Sequence, residues 1–284
     1  MLTIRRFGLS IFMFLTFIPL SAHSQATPAI SNISKSQLAS IGDKIYQNET
    51  GSNPEYLVAW NDGESFASVG IGHFIWFPEG LQSPFTETFP QLVEYLVAQG
   101  VDVPQWLIEA KDCPWETKAD FINAKRSDRM QDVKALMLST FEHQIAFIHQ
   151  RMQAALPKMV EHLDQKQADK TQVAEQSTII TTYFNQLAAT ELGLYSLIDY
   201  VNFKGEGTAA SERYENQGWG LLQVLQTMHS NLSSKESVQP TDIHVAFSDA
   251  CIYVLSRRVN NSPQQEVEQK WLAGWTRRCQ TYAQ

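Results

Sequence analysis

The chain has 284 residues, 43% of them hydrophobic and 18% charged, with a formal net charge of −8. That length is enough for one large domain or two small ones with a sizeable buried core. The sign of the charge excludes nucleic acid as an electrostatically favoured partner, and it provides no field that would steer the protein onto anionic surfaces.

Residues 1–26 read as an export signal. Arg5 and Arg6 form a short positive segment, Phe7 to Leu20 an apolar run, and Ser24 and Ala26 supply the small residues of a cleavage site. The run is too short to span a bilayer comfortably and Pro19 interrupts it, so cleavage near Ala26 or Ser24 is expected, with no membrane anchor afterwards. No Cys stands directly after the apolar run, at the cleavage site, which argues against a lipid anchor. The expected location is therefore the periplasm or the medium. Losing this segment removes two Arg and leaves residues 27–284 more acidic still. In an oxidising compartment the three cysteines cannot all pair within one monomer. Cys251 with Cys279 is the expected bridge, leaving Cys113 free, although pairing cannot be deduced from sequence alone.

Between Ser36 and Asn48, Leu38, Ile41 and Ile45 share a helical face, with Ser34 or Ser36 as N-cap and Gly51 as terminator. Glu49 then falls at the helix end. The run SFASVGIGH (65–73) alternates with a period of two and reads as a strand. Gly70 and Gly72 permit close backbone approach within it, and the far side of the hairpin runs through Phe74–Phe77 to Pro78. Residues 79–120, rich in Pro and aromatics, predict short helices and turns. Val133, Met137, Phe141, Ile145, Ile148 and Met152 form an amphipathic stripe, which predicts a long helix or a helical pair that Pro157 breaks or kinks. Residues 164–176 read as a solvated helix or linker. A second buried helix is expected over Ile179–Phe203, then a turn at 204–208 and three further helices to the C-terminus. The fold class is α+β, mainly α, in one domain over 27–284.

A carboxylate on each side of a hairpin suits cleavage of a polysaccharide, because glycoside hydrolysis usually needs an acid and a base facing each other across the bond. Glu49 closes the first helix, and Asp62 precedes Ser68 by six residues and His73 of the GIGH run by eleven. This pattern resembles the phage-type lysozymes, glycoside hydrolase family 24, in which Glu, Asp, Thr and a Gly-Ile-Gly-His-like hairpin follow one another. The segment LYSLIDYVNFKGEGT (194–208) resembles the family's central helix and its glycine-containing ending. WGLLQVLQ (219–226) and YVLSRRVNNSPQQEVEQKW (253–271) are similar to its later helices. Ser68 stands where the family has Thr. The Glu49–Asp62 interval of thirteen is longer than the family's, with SNPE (52–55) as the extra residues.

The resemblance implies a lysozyme-like fold with a small β-hairpin and a long helical insertion at 85–176. It also implies hydrolysis of the β-1,4 bond of peptidoglycan, or a related glycan, without cofactor or metal. Glu49 would be the general acid, Asp62 the base or charge stabiliser, and Ser68 the holder of the attacking water. Two other readings stay open. Glu206 stands fourteen residues before Gly220, a pattern that resembles lytic transglycosylases and makes Glu206 a rival acid. A catalytically silent glycan-binding protein of the same fold is the third. Glu206, Gln217, Trp219 and His73 are the candidate sugar contacts. Duller roles compete with several of these: Asp62 before Gly63 is an ordinary turn pair, and Trp in a helical domain is more often core than platform.

Overall fold

The computed structural model describes residues 33–83, 85–166, 168–233 and 240–284, so the expected export signal at 1–26 lies outside the described residues. The protein is mainly helical, with a small antiparallel sheet. Helix α1 (Lys35–Thr50) begins at Ser34, whose Oγ accepts from Gln37 N at 3.2 Å while its own amide donates to Gln37 Oε1 at 3.0 Å. This reciprocal cap satisfies two amides that the helix itself leaves unpaired. Gly51 ends the helix in the left-handed region at φ 62°, which costs glycine little.

Strands β1 (Val58–Ala59), β2 (Ala67–Val69) and β3 (Phe74–Trp76) form the sheet in that order. Val69 is the central register point, opposite Val58 on one side and Phe74 on the other. The strand expected to continue to His73 therefore stops four residues earlier. Gly70 to His73 form the hairpin turn instead, with φ 77° at Gly70 and 46° at His73. Gly70 N still donates to Leu57 O at 2.7 Å, one rung beyond Val58–Val69, but a distant partner takes the next amide out of the ladder: Ile71 N donates to Gln144 Oε1 at 2.8 Å.

Short helices α2 (Phe89–Ala98), α3 (Gln105–Glu109) and α4 (Lys118–Asn123) occupy the Pro- and aromatic-rich stretch. The apolar stripe that follows forms a pair, α5 (Asp128–Ser139) and α6 (Phe141–Lys166), divided at Thr140. Pro157 lies inside α6 without ending it. Both Pro157 and Gln153 are exposed, so water can satisfy the carbonyl that proline leaves free, while Leu156 and Met159 hold the helix in the core. The single helix expected over 179–203 is also two, α7 (Lys170–Ala188) and α8 (Glu191–Lys204). Thr190 caps α8 by accepting from Gly193 N at 3.1 Å. Any Cβ at Gly193 would strike the Leu187 carbonyl, so glycine allows α8 to start against the end of α7.

A two-stranded ribbon, β4 (Arg213–Tyr214) and β5 (Gln217–Gly218), precedes α9 (Leu221–Leu232), α10 (Pro240–Asn261) and α11 (Gln265–Gln280). Helix α6 packs on α1, α2, α7 and α8, so the central part of 85–176 runs through the core. Cys251 and Cys279 are bonded, tying α10 to α11, and Cys113 is free and buried. The bridge closes a sequence separation of 28 residues. Replacing both cysteines with Ser is expected to cost ~3–4 kcal/mol by chain-entropy reasoning. Denaturant titration of the oxidised protein and the double variant measures it.

Candidate functional site

The end of α1, the sheet, the C-terminal turn of α8 and helices α10 and α11 surround an open cleft of about 370 Å³. Glu49, Glu64, Ser68, His73 and Trp275 are among its lining residues. A second, narrower limb of about 110 Å³ adjoins it, lined by Arg151, Glu206, Glu212 and Trp219. His73, Asn202, Lys204 and Arg258 border both limbs.

Glu49 sits at the carbonyl end of α1, where the helix dipole disfavours negative charge. Its environment offsets that. Arg278 Nη2 donates to Glu49 Oε1 at 2.7 Å, His73 Nδ1 lies 3.5 Å from Oε2, and Asn202 Nδ2 lies 3.5 Å from Oε1. Asn202 also donates to Gly72 O at 3.0 Å, joining α8 to the hairpin turn. Arg278 is shared with the fully buried Asp199, through Nε–Oδ2 at 2.8 Å and Nη2–Oδ1 at 2.7 Å. Tyr282 donates to the same carboxylate at 2.6 Å. Burial alone would lower the Arg278 pKa, but Asp199 and Glu49 outweigh it and hold it well above its usual value.

Ser68, in β2, is buried with its residue only 3% exposed. Asp62 lies at the cleft mouth with its side chain fully exposed and ion-paired to Lys118 of α4. The Lys118 hydrogen bond and charge lower the Asp62 pKa. Glu64, which carries no sequence signal beyond its place in a polar turn, lines the same cleft. Asn61 Nδ2 donates to Glu64 Oε2 at 3.0 Å, and burial raises its pKa. The backbone fixes this loop as well, since Trp60 Nε1 donates to Glu64 O at 2.8 Å.

In the second limb, Glu206 Oε1 is 3.0 Å from Lys158 Nζ of α6. Glu212, also missed by sequence reasoning, organises the loop after α8 by accepting from Gly207 N at 2.8 Å and Ala209 N at 3.3 Å. Trp219 forms floor rather than platform: it is 4% exposed, with Arg258 Cζ 4.2 Å above its ring. Gln217 is exposed on β5 and lines neither limb. Trp271 and Trp275, with ring centroids 5.9 Å apart, supply an apolar wall beside Glu49. Lys204 Nζ lies 3.7 Å from the Trp275 ring and 3.9 Å from that of Phe203. Arg258 is satisfied by Glu268 in a buried two-point pair, both bonds 2.9 Å.

Burial, followed by the neighbouring Glu206, raises the Glu212 pKa above its ordinary 4.5. The folded state therefore holds its proton more tightly than the unfolded chain. Its contribution to stability is complete below the unfolded value and is lost as pH rises through the raised one. Glu212→Gln keeps an acceptor for the loop amides without titrating. The expected outcome is that the variant's unfolding midpoint improves relative to wild type between pH 4 and pH 7, read by thermal denaturation at both.

Among the described residues, no group of three or more His, Cys, Asp or Glu is placed to hold a metal ion. No protein-family model matches the chain, and no curated protein or solved structure matches it either. A shielded carboxyl, a buried hydroxyl and an ionised carboxylate at the mouth suit proton donation and water activation beside an apolar wall.

Proposed function

We propose that this chain is an exported glycan hydrolase of lysozyme-like fold, acting on peptidoglycan or a closely related glycan with Glu49 as general acid. The observation that carries the reading is the setting of Glu49. A carboxyl only 13% exposed opens onto a cleft whose other lining groups include Ser68, His73, Asp62 and a Trp pair. Sugar rings present flat apolar faces that aromatic side chains accept, which is the use this reading gives Trp271 and Trp275.

In this mechanism Glu49 protonates the departing glycosidic oxygen. Asp62, kept ionised by Lys118, acts as base or charge stabiliser, and Ser68 holds the attacking water. Glu64 competes with Asp62 for that role, because it is the carboxyl enclosed by the cleft while Asp62 stands in solvent.

A second reading places the acid at Glu206, which is 14% exposed and lines the adjoining limb. Product analysis separates the two. Purified peptidoglycan is incubated with the wild type, Glu49→Gln and Glu206→Gln, and the released fragments are identified by mass spectrometry. New reducing ends lost with Glu49→Gln support the hydrolase. Anhydro-sugar ends lost with Glu206→Gln favour the transglycosylase. Absence of any release by the wild type returns the protein to a glycan-binding role.

A further inference from the structure

We infer that the second limb of the cleft is a carboxylate-binding subsite with the Arg151 guanidinium as its fork, so that the preferred glycan carries free carboxylates on its sugars or attached peptides. The identity of the ligand as a glycan rests on the proposed function. The anion site itself rests on the residues of the limb.

Arg151 lies on α6, is half-buried, and lines the limb. It makes no hydrogen bond or ion pair among the described residues, and Glu206 and Glu212 act on it only through longer-range attraction. The other charged groups there are committed. Glu206 holds Lys158, Glu212 holds loop amides, Arg258 holds Glu268, and Lys204 rests on two aromatic rings. Arg151 therefore keeps its planar array of N–H donors unspent inside a partly desolvated cavity, an arrangement that a bidentate carboxylate completes. Charge selects among anions. Two carboxyl groups in the same limb repel a dianionic phosphate more than a monoanionic carboxylate, and they can accept from amide N–H groups of a peptide beside it. Continuity sets the location: the limb shares His73, Asn202 and Lys204 with the part of the cleft that holds Glu49. A substituent on a sugar near Glu49 would lie against the wall that the two limbs share.

Binding is measured on the full chain in the Glu49→Gln background, by titration calorimetry with four soluble probes. These are an N-acetylglucosamine oligomer without carboxylates, a peptidoglycan strand stripped of peptides that keeps its lactyl carboxylates, a peptide-bearing strand, and that last strand with its carboxylates amidated. At least one carboxylate-bearing strand is expected to bind about tenfold or more tighter than the neutral oligomer. Arg151→Gln should remove most of that preference and Arg151→Lys should keep part of it. Whichever strand loses its advantage identifies the source of the carboxylate. The inference is overturned if folded Arg151→Gln keeps the full preference, if amidation costs the peptide-bearing strand nothing while the stripped strand binds no better than the neutral oligomer, or if no probe binds. Should Arg151→Gln fail to fold, the amidated and stripped strands decide the matter on unsubstituted Arg151. Undiminished turnover by Glu49→Gln, measured separately, sinks the hydrolase reading and leaves these titrations to judge the subsite.

Discussion

Glu49→Gln is expected to lower the release of reducing ends from peptidoglycan by about a hundredfold to ten-thousandfold, with little change in stability. Gln is nearly isosteric and its amide oxygen can still accept from Arg278, but it has no proton to give. Arg278 keeps its two-point pairing with Asp199, so the guanidinium is not stranded by the loss of one partner. The variant should therefore unfold within a few degrees of wild type while losing turnover. A variant that is inactive and unfolded would say nothing of catalysis, which is why calorimetric unfolding accompanies the assay. Undiminished release by a folded variant would sink the assignment of Glu49.

Arg278→Met should be the most destabilising single change at the site, by about 3–5 kcal/mol. Asp199 is fully buried, and without the guanidinium its charge would keep only the Tyr282 hydroxyl, 2.6 Å away, among these partners. Glu49 would lose its closest partner at the same time. Lys at this position should recover only part of the loss, because a point charge cannot span two carboxylates as the guanidinium does. The neighbouring Cys279 is bonded to Cys251, so the covalent tie holds Arg278 at the level where both carboxylates meet it. Denaturant titration of the three proteins at neutral pH measures the effect. A loss below about 1 kcal/mol would mean that the pair is solvated like a surface bridge.

Features that depend on near neighbours were legible in the chain. The Ser34 cap, the Gly51 stop, the apolar stripe from Val133 to Met152 and the three C-terminal helices each follow from spacing and capping chemistry over a few residues. The Cys251–Cys279 bridge matches the pairing favoured from its helical context. Where sequence and structure part, a distant group intervenes. The strand through Gly70 to His73 gave way to a turn because Gln144, 73 residues away from Ile71, offers that amide a better partner than the ladder. The stripe did not reveal the division at Thr140, and Pro157 did not end α6, because Leu156 and Met159 beside it are held in the core while the proline faces outward.

The candidate site divides in the same way. By itself the sequence determined that Glu49 ends a helix, that a glycine-containing hairpin follows it, and that the chain is acidic and mostly helical. Only the tertiary structure decided that Arg278, 229 residues from Glu49, would be its counterion, that Asp62 would face solvent toward Lys118, and that Glu64 would turn inward. It also decided that Arg151 would line the second limb with no committed partner. The physical reason is that periodicity and capping act within a few residues of backbone, whereas counterions, burial and enclosure arise when separate elements pack, and their positions depend on the whole core at once.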